Sequence, residues 1–563
     1  MSDQTKLRTG GQILVDQLTI HGVSAAFCVP GESYLAVLDA LYDARDTIRL
    51  IVARQDGNAS FMAEAYGKAT GRPGICFVTR GPGATNASIG VHTAYQDSTP
   101  MILFVGQVGR DMADREAFQE VDFRRMFGQM SKWVAQIESA ERIPEYVSHA
   151  FHTATSGRPG PVVLALPEDM LTDLVHASDA RRYQAVQASA SPDDMARLQK
   201  ILESAARPLA ILGGTVWGEA ACADFRAFAE ANGLPVATSF RFQDLYDNRA
   251  DNYAGDVGIG LNPKLAQRIA DADVLFVVGA RLGEMTTNGY TLLQVPVPKQ
   301  RLVHVHAGAE ELGRVYQGEL LINAGMQAFA RSIRSMRVGN GDRWKNWREG
   351  AHADYVAWQQ PRPGPGKVQL GEIVLWLREN MPADSLVTTG AGNFTGWFQR
   401  WLQFRQWRTQ VAPTNGAMGY GVPAGVATKV AYPDRLVIAV SGDGDFMMSG
   451  QELATAVHYN LAVIFIVVNN GMYGTIRMHQ EREYPGRVYA TALTNPDFGA
   501  LAKAYGAHGE VVEETAQFAP AFTRARASGK PALIELRVDP QAITTQTTLD
   551  AIRAQALART AAR

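Results

Sequence analysis

Two polar clusters, each closing an apolar run, carry the residues best suited to chemistry. Residues 435–440 lead into Ser441-Gly442-Asp443-Gly444-Asp445, and residues 461–468 lead into Asn469-Asn470. A short apolar run closed by a polar turn reads as a buried strand ending in a loop. In an open α/β sheet, ligands sit beyond the carboxyl ends of the strands. Asp443 and Asn470, 27 positions apart, are therefore expected to project into one site. A carboxylate, an amide oxygen and nearby backbone carbonyls form a hard-oxygen donor set, which suits Mg²⁺ sharing its shell with phosphates. The glycines beside Asp443 let the backbone approach a ligand closely. Either turn alone would be an ordinary strand end. The pair, each after an apolar strand, is the stronger signal.

The positioning elements follow from the rest of the chain. Its 563 residues, 46% hydrophobic and 20% charged, have an ordinary globular composition and suffice for two to four domains. A net charge of −2 gives no basis for nucleic-acid or anionic-membrane binding. Cys28, Cys76 and Cys222 have neither disulfide nor metal-ligand spacing. Residues 1–10 are polar and lack the apolar core of a signal peptide. No apolar run approaches the roughly 20 residues of a membrane span. A cytoplasmic protein is expected.

Short strands are expected at residues 25–29, 49–52, 74–79, 100–106 and 162–166, with helices at 11–21, 35–42 and 56–70 between them. This alternation argues for a parallel sheet covered on both faces. A second unit holds strands at 209–212, 274–278 and 302–305, and a third at 386–389, 436–440, 462–468 and 532–538. Polar residues 176–193 and the Pro/Gly-rich residues 339–367 read as linkers. The expected fold is three doubly wound α/β domains with central parallel sheets, at 1–175, 190–340 and 366–563. Residues 548–563, rich in Ala, Arg and Gln, read as a surface helix.

Residues 54–71 (RQDGNASFMAEAYGKATG), 79–86 (TRGPGATN), 117–122 (AFQEVD), 388–392 (TTGAG), 416–423 (GAMGYGVP) and the GDG…NN pair together resemble the thiamine diphosphate (ThDP) enzymes, in their acetolactate synthase-like branch. The resemblance implies a pyrimidine-binding, a central and a diphosphate-binding domain in that order. It also implies a homodimer or homotetramer with sites between subunits. On the matching positions, Asp56 takes the place of the glutamate that activates the cofactor through its pyrimidine N1′. Thr79, Pro82 and Asn86 take pyrimidine-side contacts. Gly416 offers its carbonyl to the 4′-amino group, and Met418 is the apolar wedge that bends the cofactor. Asp443, Asn470 and the Met472 carbonyl hold Mg²⁺. Gly444, Asp445, Gly392, Asn393, Phe394 and Tyr473 lie near the cofactor. Aspartate is one methylene shorter than the family's glutamate. Taken without the resemblance, Asp56 reads as the cap of the helix that starts there, and Glu64 as structural. Asp445 stands where a small residue is usual, so its side chain is expected to turn from the phosphates.

On the substrate side, Phe118 and Gln119 match residues lining the synthase pocket. Thr475 replaces a usual methionine. His479 replaces a tryptophan that favours 2-oxobutyrate as acceptor, and reads either as an acid–base group or as a surface histidine. No His-His pair of the kind that protonates the intermediate in simple decarboxylases is present. The implied reaction is decarboxylation of a small 2-oxo acid such as pyruvate, followed by carboligation to a second carbonyl compound. A C–C lyase, a simple decarboxylase and a weakly active ThDP-binding protein are the alternatives. FAD is left open: residues 278–281 keep the start of the family's flavin motif, whereas Leu282-Gly283-Glu284 depart from it.

Overall fold

The computed structural model describes residues 7–339 and 342–561; residues 1–6 of the polar N-terminal segment lie outside it. Three six-stranded sheets carry the fold, and every strand pair in them is parallel. The first runs Arg49–Val52, Ala25–Cys28, Gly74–Val78, Met101–Gln107, Pro161–Pro167, Trp133–Gln136. The third runs Gln410–Val411, Leu386–Thr389, Val437–Gly442, Val463–Asn469, Ala532–Arg537, His508–Val512. Numbered along the chain within each sheet, both read 2-1-3-4-6-5. The central sheet, from Tyr253–Val257 through Pro208–Leu212 and Val274–Val278 to Leu320–Asn323, reads 3-2-1-4-5-6. The first and third domains are topological twins, and the central one is not.

Helices cover both faces, so the inner strands are buried along their length, as the near-continuous apolar runs require. All seven residues of Met101–Gln107 and of Pro161–Pro167 are buried. The strands expected from sequence are present. Those missed are short or mixed in polarity: Leu7–Thr9, Trp133–Gln136, Leu174–His176, Val236–Ser239, Tyr253–Val257, Leu320–Asn323, Gln410–Val411 and His508–Val512. The segment 339–367 is not simply a linker. It contains the helix Lys345–Trp358, held by Trp344 and Trp347, whose indole N–H groups donate to the Ala205 and Pro208 carbonyls at 3.0 and 2.8 Å. The C-terminal helix forms as Leu549–Ala561.

Cα proximity divides the chain into two compact units, and the division departs from chain order. One unit comprises residues 1–186 together with 423–433 and 449–461; the other comprises 187–422, 434–448 and 462–563. Two helical segments that lie in sequence within the third domain thus belong with the first sheet. Among the described residues, no helix is long and apolar enough to cross a membrane.

Candidate functional site

The first unit supplies a carboxylate at a strand-to-helix turn. Strand Arg49–Val52 ends, and helix Asp56–Thr70 begins three residues later. Gln55 is its N-cap, accepting from the Asn58 amide at 2.9 Å. Asp56 is therefore the first helical residue and not the cap. Its Oδ2 accepts from Asn86 Nδ2 at 3.3 Å, while its buried Oδ1 has no hydrogen-bond partner. Gly83 packs close to that oxygen: a Cβ there would stand 3.1 Å from Oδ1.

Thr79, Pro82 and Asn86 lie on the next such turn, into helix Gly81–Asp97. The Thr79 hydroxyl is 3.0 Å from that of Ser33. Gln119 has left-handed backbone (φ 66°); its carbonyl accepts the Gly81 amide at 3.0 Å, and Arg80 Nε reaches its side-chain oxygen at 3.4 Å. Phe118 beside it is 75% exposed. Glu64 is fully buried and bonded to Thr99 Oγ1 at 2.6 Å, a structural placement.

In the second unit, neighbouring parallel strands Val437–Gly442 and Val463–Asn469 end side by side, with Gly442 in register with Val468. This sets Asp443 and Asn470 at adjoining strand ends. Asp443 Oδ2 accepts the Gly471 amide at 2.9 Å and Asn495 Nδ2 at 2.7 Å; burial pushes its pKa up, against those bonds. A carboxylate has about four acceptor positions, so capacity remains for a cation. Asn470 Oδ1 accepts the Met472 amide at 3.2 Å, and Tyr473 packs on Gly444, where a Cβ would meet its ring at 2.6 Å. Asn495 also bridges to Asn469 Oδ1 at 2.9 Å. Nothing in the sequence spacing marks Asn495, since a loop and tertiary folding bring it there.

Gly416 has φ 71° and open space where a Cβ would be, as close approach of a ligand to its backbone requires. Met418 is half-buried beside it. Asp445 faces the backbone of the neighbouring loops. Its Oδ1 accepts the Gly419 amide at 2.6 Å and the Ala391 amide at 3.4 Å, and burial raises its pKa to about 6. Phe394 is buried against Gly392 and Gly442, so it packs and has no side-chain polar role. Asn393 Oδ1 accepts from Thr475 Oγ1 at 2.9 Å, and its Nδ2 donates to the Ile543 carbonyl at 3.0 Å. His479 is exposed on helix Gly474–Glu483, and among the described residues no hydrogen bond or ion pair holds it.

These donors fit ThDP and Mg²⁺. The buried, unpartnered Asp56 oxygen can meet a pyrimidine nitrogen, and the open left-handed Gly416 can present its carbonyl. Asp443 and Asn470 supply hard oxygen. Among the described residues, no group of three His, Cys, Asp or Glu side chains could hold a metal ion, so a cation here would depend on main-chain and phosphate oxygens, as Mg²⁺ commonly does.

Comparison with known proteins agrees. Residues 8–126 match "Thiamine pyrophosphate enzyme, N-terminal TPP binding domain", residues 195–333 match the central domain, and residues 390–536 match the "C-terminal TPP binding domain". The chain is 30% identical to an acetolactate synthase large subunit of Parasynechococcus marenigrum, over 94% of this chain and 87% of that protein. It is 28% identical to the Escherichia coli acetolactate synthase isozyme 2 large subunit, over 94% and 95%. The chain belongs to the thiamine diphosphate-dependent enzymes, in their acetolactate synthase-like branch.

Proposed function

We propose that this enzyme decarboxylates a small 2-oxo acid such as pyruvate and ligates the resulting two-carbon unit to a second carbonyl compound, in the cytoplasm, as a homodimer or homotetramer. The observation that carries the reading is the Asp56 carboxylate, whose buried Oδ1 has no hydrogen-bond partner among the described residues, in a stretch that resembles the one carrying the family's activating acid. The relatives named acetolactate synthase support the reaction class. Bound ThDP supplies the nucleophilic carbon and the electron sink. Asp56 holds the proton at the pyrimidine nitrogen. Asp443, Asn470 and the Met472 carbonyl hold Mg²⁺, and Gly416 and Met418 fix the ring orientation. Asp56 belongs to the first domain and the metal ligands to the third. In this reading, each site is completed by two copies of the chain.

Flavin has no part in this proposal. In the central sheet, the 3-2-1-4-5-6 order puts a dinucleotide crevice beyond Pro208–Leu212. The helix that starts there, Glu219–Asn232, carries Glu219 in its first turn, and the Gln327 side chain lies against its cap Gly218. The exposed Glu219 in that first turn already complements the helix dipole and disfavours a second anion beside it.

The test is product analysis by NMR after incubation with ThDP, Mg²⁺ and pyruvate. Acetolactate or acetoin is expected; acetaldehyde alone would identify a decarboxylase instead. Asp56→Ala is expected to lose about 10²-fold or more in rate, the cost of a displaced catalytic group. Full activity in that variant would remove Asp56 from the mechanism. An inactive wild type with an active Asp56→Glu would mark a ThDP-binding protein with little turnover.

A further inference from the structure

The turn that carries Asp56 is tied from outside its own sheet. Ala53 makes the last hydrogen bond to the neighbouring strand, its amide donating to the Cys28 carbonyl at 2.8 Å. The next amide, Arg54, has no sheet partner and donates instead to both oxygens of Glu452, at 3.0 and 3.2 Å. Glu452 Oε1 also accepts from Asn58 Nδ2 at 2.9 Å, and Oε2 from Thr455 Oγ1 at 2.6 Å. The carboxylate is 0% exposed. Seven residues on, two helical turns along the same face, the Tyr459 hydroxyl accepts the Val52 amide at 2.9 Å. The segment 452–459 therefore satisfies the outward Val52 amide of the edge strand and the Arg54 amide of the turn beyond it.

Arg54 and Asn58 flank Asp56 by two residues on either side. We propose that Glu452 is a positioning residue for Asp56, fixing from both flanks the turn that sets how far the short carboxylate reaches. The inference rests on the reading of Asp56 as the activating acid. An aspartate has one torsion fewer than a glutamate with which to correct an error, so backbone placement decides its reach. A glutamate at position 452 takes four hydrogen bonds from three donors because a carboxylate only accepts. Glutamine would turn an NH₂ toward donors and keep one oxygen.

The test follows exchange of the ThDP C2 proton with D₂O on the holoenzyme, by acid quench and NMR, and amide hydrogen exchange across residues 52–58 in the cofactor-free protein. Glu452→Ala is expected to expose the Arg54 amide and to slow C2 exchange about 10- to 100-fold, with ThDP affinity changed less than threefold. Glu452→Gln is expected to fall between it and wild type. Thr455→Ala, which removes only a bond within the same helix, serves as the control and should leave C2 exchange within twofold. If C2 exchange in Glu452→Ala stays within twofold while the Arg54 amide is exposed, the positioning role is refuted. Should Glu452→Ala fail to fold, Glu452→Gln decides by the same readouts: a loss of fivefold or more supports the role and an unchanged rate refutes it. Unchanged C2 exchange in Asp56→Ala would instead refute the reading of Asp56 and leave the Glu452 tie as structure alone.

Discussion

Asn495 orients Asp443, the carboxylate proposed to hold Mg²⁺. Its side-chain amide donates to Asp443 Oδ2 at 2.7 Å and to Asn469 Oδ1 at 2.9 Å, which fixes which way the Asp443 carboxylate turns. Groups that orient a metal ligand commonly account for 10–100-fold in affinity. Asn495→Ala is accordingly expected to raise the Mg²⁺ concentration for half-saturation about 10-fold or more, with kcat at saturating metal largely kept; a Mg²⁺ titration of ThDP binding checks it. At this scale the sequence is legible where local spacing decides, as in bringing Asp443 and Asn470 to adjoining strand ends. It is silent on Asn495 and Glu452, whose roles arise from tertiary contacts 52 residues from Asp443 and 398 from Arg54. The N-cap illustrates the limit of local rules. Asp56 has the right residue type for a cap, yet Gln55 takes the position.

At the level of elements, the C-terminal helix Leu549–Ala561 is fastened to Gly474–Glu483, the helix that carries Thr475 and His479. Leu549 and Ile552 join Met478 and Ile543 in one apolar cluster. Arg553 donates to both oxygens of the buried Glu481, at 2.5 and 2.7 Å. Arg553 first, with help from the Gly486 amide and Arg477 against the cost of burial, holds the Glu481 carboxyl down at about 2. A carboxyl with a lowered folded pKa stabilises above its unfolded value, near 4.3, and loses that contribution as pH falls toward 2. Arg553→Ala should therefore destabilise by about 1.5–3 kcal/mol near pH 7, in the range for hydrogen bonds to charged groups. Urea unfolding at pH 7 and near pH 2.5 should show the difference shrinking with acid; an unchanged difference would mean that the ion pair is not its source. Composition indicates a surface helix here, and the polar face is indeed solvent-facing. Its docking was not legible because the apolar face is narrow and its charged partner lies 72 residues away.

For the whole molecule, three parallel sheets were legible because buried strands are apolar along their length. Most edge strands were not, since one side of each meets water and the pattern dilutes; Arg49–Val52, an edge that keeps an apolar run, was read, and the inner Val236–Ser239, with its Thr and Ser, was missed. Gln410–Val411 is such an edge. Its Gln410 amide, and that of Thr409 before it, donate to Asp244 Oδ2 at 3.2 and 3.0 Å. Burial raises the Asp244 pKa to about 6 against the pull of those two amides. The folded state then holds a proton that the unfolded chain releases near pH 4. This contribution to stability is full below pH 4, declines as pH rises to 6 and is flat above. Asp244→Asn keeps an acceptor and removes the proton equilibrium, so the fall in unfolding free energy of the cofactor-free protein between pH 4 and 6 should be smaller in that variant. Denaturant titrations across that range test it.

The helical segments 423–433 and 449–461, grouped with the first sheet although they are encoded near the end of the chain, set how this polypeptide can be divided. A piece ending at Val186 would contain every strand of the first sheet and still leave the Arg54 amide, the Val52 amide and the face covered by those helices without partners. Expressed alone, it should aggregate or remain partly unfolded. Supplying residues 187–563 in the same cell should restore solubility, and co-purification of the two pieces would show it. Insertions or fusions placed near residue 186 should be tolerated where truncation there is not: the connection is dispensable, and the late-encoded helices are not.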